Sequence, residues 1–387
     1  MRILQVTHRF FSRSGGGSYV IRNLSKSLQQ RGHEVTIICS NYHFEQEYVG
    51  ELTKTGVTVI PFQVQWNFGQ FYYTKDMGEW LDQNLETFDV VHINGVRNYQ
   101  NLLVIKYAKK YGIPVVMQAH GSLERIGSHK ILKKLFDVIF LPPILGGTSK
   151  YIALSQSEKN SHIRMGVEAS KVVIIPNGVN ANDYQDLPER GSFKRFYGIP
   201  EDKKIILYVG RIDQTKGIDL LIRAYKLILN EFEDVILVIA GSDDGYKRSL
   251  VQLVKSNDLE DDVLFIDYVS EKQKLSAFID STVFVTPRFY GFPITFIESC
   301  ACGLPIVTTD GGDYLDWIDG QVGYNTSYDE TELYQAIKKV ISDNQLRVQF
   351  AYTCQQLVKK SLNWAVIVKE VESVYMKETL GVQKNEN

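Results

Sequence analysis

Arg211 and Lys216 stand five residues apart in Leu207-Tyr208-Val209-Gly210-Arg211-Ile212-Asp213-Gln214-Thr215-Lys216-Gly217, between a strand-like apolar run and the helical pattern of Ile218–Leu229. A planar guanidinium fork and a mobile ammonium at one strand end suit a diphosphate. Open α/β sheets bind ligands outside the carboxyl ends of their strands, which is where this loop falls. Solvated loop charges are the competing reading. A second candidate is Arg13-Ser14-Gly15-Gly16-Gly17-Ser18, which follows a strand and opens a helix with Val20, Leu24 and Leu28 on one face before Gly32 stops it. Glycines there let an anion or sugar reach bare backbone N–H groups at a positive helix end. The alternative is a turn that uses glycine only for tight geometry. Val20 falls where the third glycine of G-x-G-x-x-G belongs, so dinucleotide binding is poorly supported. The third candidate, Glu298, follows Pro287-Arg288-Phe289-Tyr290-Gly291-Phe292-Pro293-Ile294-Thr295-Phe296-Ile297 and is flanked by Ile297, Cys300 and Ala301. Burying it is costly unless the carboxylate accepts strong hydrogen bonds. Paired ribose hydroxyls would donate them, and so would a neighbouring backbone.

These groups need strand ends to hold them, and short β-branched runs alternating with helical segments predict parallel strands joined by crossover helices. The first series is Arg2–Val6, Glu34–Cys39, Thr58–Ile60, Val90–Ile93, Val115–Gln118, Tyr151–Leu154 and Val172–Ile175. The pattern restarts with Ile205–Val209, Val235–Ala240, Val263–Ile266, Val283–Thr286 and Pro305–Thr308. The polar stretch Asn182–Gly198, with Pro188 and Gly191, reads as the hinge, giving domains 1–186 and 187–363. In the segment from Trp364, Val368, Val371, Val374 and Tyr375 lie at helical spacing before the polar Gln383–Asn387, where fraying is expected. This helix is expected to return to the first domain.

At 387 residues the chain exceeds the roughly 250–300 residues at which single cores stop growing, so two domains are expected. With 44% apolar and 23% charged residues it has a globular composition. A net charge of -2 argues against nucleic acid as a partner. Cys39, Cys300, Cys302 and Cys354 form no C-x-x-C pair and read as reduced core residues. The N-terminus lacks the apolar stretch of a signal peptide, and no apolar run approaches the ~20 residues that span a bilayer. The cytoplasm is the expected location.

Taken together, these segments resemble the retaining glycosyltransferases of family four, glycosyl transferases group 1. Gly210-Arg211 with Lys216-Gly217 matches the family's G-R…K-G element. Ile175-Pro176-Asn177-Gly178-Val179-Asn180 matches I-P-N-G-V-D with Asn180 for Asp, and Arg31-Gly32-His33-Glu34-Val35 matches R-G-H-E-V. Glu298 with Ala301-Cys302-Gly303-Leu304-Pro305 matches E-A-x-A-C-G-x-P with Ser299 for the first Ala, and Gly311-Gly312 follows in place. The resemblance implies an α/β chain of the GT-B fold, two Rossmann-like domains facing each other across a cleft and clamping a nucleotide-sugar. Glu298 would hold the ribose hydroxyls and Arg211 with Lys216 would neutralise the leaving diphosphate. Gly16 and Gly17 would approach it through their backbone, and Val269, Tyr290, Phe292, Ile294 and Thr295 would complete the donor site. His120, in Met117-Gln118-Ala119-His120-Gly121, takes the family's strand-end histidine position near the transferred sugar, although a lone histidine is often structural. In the implied mechanism the departing phosphate oxygen helps deprotonate the acceptor, so catalysis is mostly orientation and charge neutralisation. No metal or other cofactor is expected. Asp243-Asp244 and Asp261-Asp262 read as solvated loop and cap residues.

The chain departs from the family at Tyr290, eight positions before Glu298, where a carboxylate usually contacts the sugar. A phenol stays neutral near pH 7 and cannot copy it. Pro293 also removes one N–H that could face phosphate. Within residues 125–140, Arg125, His129, Lys130, Lys133 and Lys134 alternate with Ile126, Ile131, Leu132, Leu135, Phe136, Ile139 and Phe140. This pattern suits a helix lying on an anionic membrane, peripherally on its inner face, or a helix packing its apolar side inward. Trp66-Asn67-Phe68 with Phe71, Tyr72 and Tyr73 would stack on acceptor sugars or form a packed loop. The leading expectation is a hexosyltransferase acting on a glycan or lipid-linked acceptor. The alternatives are a nucleotide-sugar-binding protein without transfer activity and a nucleotide-sugar epimerase.

Overall fold

The β-branched runs form parallel strands. The computed structural model describes residues 1–12, 15–68, 71–123 and 130–385. In chain order the first strands are β1 (Arg2–Val6), β2 (Glu34–Ser40), β3 (Thr58–Phe62), β4 (Trp66–Phe68), β5 (Phe71–Tyr73), β6 (Val90–Asn94), β7 (Val115–Gln118), β8 (Lys150–Ala153) and β9 (Val172–Ile174). Seven of them make a parallel sheet in the order β3-β2-β1-β6-β7-β8-β9, and β4 and β5 stand apart as an antiparallel hairpin. The second series is β10 (Lys204–Val209), β11 (Val235–Ala240), β12 (Val263–Ile266), β13 (Ser281–Thr286), β14 (Ile306–Thr309) and β15 (Gly323–Thr326). Its order, β12-β11-β10-β13-β14-β15, is that of a doubly wound sheet, reversing direction beside β10. Each sheet is buried on both faces, as parallel sheets require, and supports its own apolar core.

The chain divides into two compact units, one of residues 1–178 with 364–387 and one of residues 179–363. The division therefore precedes the 186/187 boundary read from composition. Val179 donates its N–H to the Leu362 carbonyl at 3.1 Å and bridges Asn363, which ties the start of the second unit to its end. The polar stretch Asn182–Gly198 lies inside the second unit and is not the hinge. Its helix Ser192–Tyr197 buries Phe193, and the buried Asp280 carboxylate accepts the N–H groups of Gly191, Phe193 and Lys194 at 2.5, 2.8 and 3.2 Å. Composition registers the polar residues but not this distant cap.

The C-terminal helix, Trp364–Asn385, groups with the first unit and stays helical through Gln383 to Asn385, where fraying was expected. Glu372 accepts from Arg31 Nε at 2.9 Å and bonds His33 Nε2 at 2.7 Å, and Tyr375 is fully buried. So Arg31 and His33 of the R-G-H-E-V segment anchor this helix.

Two glycines set the second sheet. A methyl on Gly241, at φ 151°, would meet the Gly210 carbonyl oxygen well inside van der Waals contact, and one on Gly323 would meet the Ile306 carbonyl oxygen. Gly241 thus lets the strand end beneath Arg211 approach its neighbour. Gly241→Ala is expected to cost about 2–3 kcal/mol of stability by overpacking, read from a lowered melting temperature. An unchanged melting temperature would show that the strand ends can spread.

Candidate donor and sugar sites

In the second unit, Val209 ends β10 and the chain turns outward. Tyr208 donates its hydroxyl to the Arg211 carbonyl at 2.8 Å, and Asp213 accepts the Thr215 N–H at 2.8 Å to cap the single turn Gln214–Lys216. Gly217, at φ 69°, then starts the helix Ile218–Leu229. The Arg211 guanidinium is exposed and pairs with Asp244 at 2.7 Å and Asp213 at 3.5 Å. The half-buried Lys216 ammonium makes no hydrogen bond or ion pair among the described residues. Burial holds its pKa below the ordinary lysine value, and Asp213 offsets only part of this. An ammonium with too little solvent and no carboxylate in ion-pair contact favours an anion beside it. The loop after β13 lies against this turn, since Arg288 donates its N–H to the Lys216 carbonyl at 3.1 Å.

Glu298 sits in the helix Ile294–Ala301 and is 3% exposed. Its Oε1 accepts from the Lys274 ammonium at 2.8 Å, while Oε2 is buried with no partner among the described residues. Burial raises the Glu298 pKa, and Lys274 only partly opposes the shift. Lys274 escaped the sequence reading, because a lysine in an ordinary helix, Glu271–Asp280, carries no local sign of a distant carboxylate. Val269 is buried ahead of that helix, following β12. Phe292 is buried near Trp317, whereas Tyr290 is half-buried. Pro293 is the N-cap of the Glu298 helix, which leaves the Ile294 and Thr295 N–H groups without intrahelical acceptors.

Asp243 accepts from the backbone N–H groups of Gly245, Tyr246 and Lys247, and Asp244 serves Arg211. Among the described residues no group of three or more His, Cys, Asp or Glu could hold a metal ion. Cys39, Cys300 and Cys354 are buried and Cys302 is half-buried, all as free thiols, and burial pushes Cys39 up to about 12.

In the first unit, Gly16 and Gly17 open the helix Gly16–Gln30 after Gly15 at φ 92°, and a methyl on Gly17 would meet nothing within 4 Å. Arg13 and Ser14 lie outside the described residues. His120 follows the carboxyl end of β7 at φ 53°, an uncommon conformation for a residue with a side chain. Burial pushes its pKa down to about 4, so the ring is neutral near pH 7. Its Nε2 lies 2.9 Å from Asn94 Oδ1, a partner that the sequence reading did not single out.

The Glycosyltransferase Family 4 profile matches residues 14–183, and the Glycosyl transferases group 1 profile matches residues 189–356. The chain belongs to family four of the GT-B glycosyltransferases. N-acetyl-alpha-D-glucosaminyl L-malate synthase of Bacillus anthracis is 25% identical over 93% of this chain and 93% of its own. Phosphatidyl-myo-inositol mannosyltransferase of Mycolicibacterium smegmatis is 25% identical over 97% of this chain and 93% of its own. HepE of Anabaena, solved in complex with UDP-glucose, superposes with a TM-score of 0.80 at 18% identity, covering 97% of this chain and all of its own. A glycosyltransferase of Rickettsia africae gives a TM-score of 0.78 at 18% identity, covering 97% and 98%.

Two further segments of the glycosyltransferase carry the aromatic and basic patterns noted in its sequence. In the β4–β5 hairpin Trp66 stacks on Phe71 and Tyr73, with Tyr99 against both of these, while Tyr72 is buried against Tyr42. Much of the aromatic run therefore packs on itself, yet Trp66 stays 53% exposed. In the basic segment, Lys130–Ile139 is helical, while Arg125, Ile126 and His129 and the side chains of Lys130 and Leu132 lie outside the described residues. Phe136 packs on the core and Asp137 pairs with Arg97 at 2.6 Å. Ile131, Leu135, Val138, Ile139 and Phe140 are exposed, Ile131 by 85%, so the helix does not turn all its apolar residues inward. No described helix is long and apolar enough to cross a membrane.

Proposed function

We propose that this glycosyltransferase moves a hexosyl unit from a UDP- or GDP-linked sugar to a glycan or lipid-linked acceptor, retaining the anomeric configuration and using no metal. The observation that carries this reading is the unpaired, half-buried Lys216 ammonium beside Arg211 at the end of β10. As the glycosidic bond breaks, negative charge grows on the diphosphate. Lys216, already partly desolvated, opposes that charge at little cost in reorganisation, and Arg211 adds a second positive group at the same loop. The free Oε2 of Glu298 accepts from ribose hydroxyls, the Ile294 and Thr295 N–H groups serve phosphate oxygens, and Val269 and Phe292 border the nucleotide. Within the first unit, Gly16 and Gly17 offer backbone N–H groups suited to phosphate, and His120 offers an imidazole suited to a sugar hydroxyl. The departing phosphate oxygen takes the acceptor proton on the same sugar face, so no protein base is needed.

UDP is the favoured carrier, supported by HepE with UDP-glucose. A lipid-linked acceptor is supported by the exposed apolar residues among the lysines of Lys130–Ile139, which suit an anionic membrane surface on the cytoplasmic side. Tyr290 motivates the reading of nucleotide-sugar binding without transfer.

Titration with UDP- and GDP-sugars is expected to raise the melting temperature, by about 2.7 kcal/mol of added stability at a hundredfold excess over Kd. The stabilising donor is then incubated with candidate acceptors and the anomeric proton of the product followed by NMR. No stabilisation by any nucleotide-sugar would defeat the proposal, an inverted anomer would remove retention, and an isomerised free donor would show an epimerase.

A further inference from the structure

His120 ends a chain of buried side chains reaching back to the C-terminal helix. Tyr375 places its hydroxyl 2.5 Å from His92 Nδ1 and accepts from Gln5 Nε2 at 3.3 Å. Gln5 Oε1 in turn accepts from Asn94 Nδ2 at 2.9 Å, and Asn94 Oδ1 meets His120 Nε2 at 2.9 Å. Gln5, His92 and Asn94 are at most 3% exposed and Tyr375 is fully buried, so solvent does not supply alternative partners. Strands β1 and β6 and the C-terminal helix thus converge on one imidazole.

The orientation of the Asn94 amide follows from its surroundings. Its Nδ2 faces the Val6 carbonyl at 3.3 Å and the His92 carbonyl at 3.5 Å in addition to Gln5 Oε1. Turning the amide over would set an oxygen against two backbone oxygens, which cannot donate. Oδ1 must therefore face His120, and an oxygen there demands a proton on Nε2. A neutral imidazole carries one ring proton, so Nδ1 keeps its lone pair. The positive φ of His120 fixes the ring's point of departure from the backbone, and Gly121 beside it donates its N–H to Glu158 Oε1 at 2.6 Å.

We propose that Asn94 is a positioning residue, oriented by Gln5 and Tyr375, that holds His120 as the Nε2–H tautomer and keeps Nδ1 as a hydrogen-bond acceptor for a hydroxyl of the transferred sugar. The role towards sugar rests on the function proposed above; the tautomer does not. In this arrangement His120 accepts and does not donate through Nδ1, so it orients a hydroxyl and contributes no cation. Without Asn94 the proton can occupy either nitrogen, and the Nδ1–H form presents a donor where the sugar hydroxyl also offers one.

The test is long-range proton–nitrogen NMR of the full chain with ¹⁵N-labelled histidine, assigning His120 by the signal lost in His120→Gln. The wild-type spectrum is expected to show His120 as Nε2–H without added ligand, and the Nδ1–H form there would overturn the proposal even if no variant folds. Asn94→Ala is expected to give mixed tautomers and to lower kcat of donor turnover about tenfold, the worth of one lost hydrogen bond. Asn94→Asp, which restores an oxygen acceptor, is expected to recover the Nε2–H signal. Mixed tautomers with unchanged kcat would remove the positioning role and leave glycosyl transfer standing. A wild-type protein that turns over no nucleotide-sugar would defeat the functional reading, while the spectrum still decides the tautomer.

Discussion

Lys216→Ala is expected to lower the rate of sugar transfer by about 10²–10³-fold, the usual loss when one fixed group opposing transition-state charge is removed. Arg211→Ala should fall in the same range. Neither should unfold the protein. The fold already disfavours the Lys216 cation, since burial depresses its pKa and it has no partner to lose. Arg211 forfeits an exposed pair with Asp244, a class of interaction that contributes about 0–1 kcal/mol, and a longer contact with Asp213 at 3.5 Å. Initial rates with saturating donor, together with calorimetric melting, separate the two effects, and full activity in both variants would discard the diphosphate assignment. The same pKa sets a direction with pH. As pH rises the ammonium deprotonates before the ordinary lysine value of 10.5, so the alkaline limb of activity should begin to fall earlier than for an exposed lysine. The limb should vanish in Lys216→Ala.

Lys274→Met should act on stability instead, because it strands the Glu298 carboxylate in a site 3% exposed. Breaking a buried pair from one side costs about 3–5 kcal/mol, part of it recovered if the carboxyl takes up a proton. The sign follows from linkage. Burial already raises the folded Glu298 pKa against the pull of Lys274, and removing that ammonium raises it further. A carboxyl with a folded pKa above its unfolded value loses stability as pH climbs from the unfolded value through the folded one. The gap between variant and wild type in urea melts should therefore be wider at pH 8 than at pH 5. In the wild type, burial alone would lower the Lys274 pKa, but Glu298 and Glu271 raise it overall. Its contribution is present below the ordinary lysine value and lost as pH rises through the raised one. Lys274→Met with Glu298→Gln should regain most of the stability while donor binding stays weak. An equal gap at both pH values would show that the pair is not ionised.

Much of this was legible in the sequence because it is written locally. Parallel strands buried on both faces must be continuous apolar runs, so the twelve strands read from β-branched residues all form. The hairpin of Trp66–Phe68 with Phe71–Tyr73 and the edge strand Gly323–Thr326 were missed for the converse reason. The first is an aromatic pair too short to show a period, and the second starts on a glycine chosen for its approach to Ile306. At the candidate donor site the cations and the carboxylate announce themselves by type and spacing. Long-range partners do not, since Lys274 on Glu298, Asp280 on the helix Ser192–Tyr197 and Asn94 on His120 act across tens of residues and look locally like a surface lysine, a helix end and a strand end.

The return of Trp364–Asn385 to the first unit also governs the order in which the chain can fold as it is made. Residues 179–363 emerge whole before the helix carrying Glu372 and Tyr375 exists, so the second unit can close its core while the first lacks its last element. Until Trp364–Asn385 has been made, Arg31, His33 and His92 have no partner from that helix. The unit that begins to be synthesised first is thus completed after the second, and the buried chain leading to His120 closes only once the helix Trp364–Asn385 has been made.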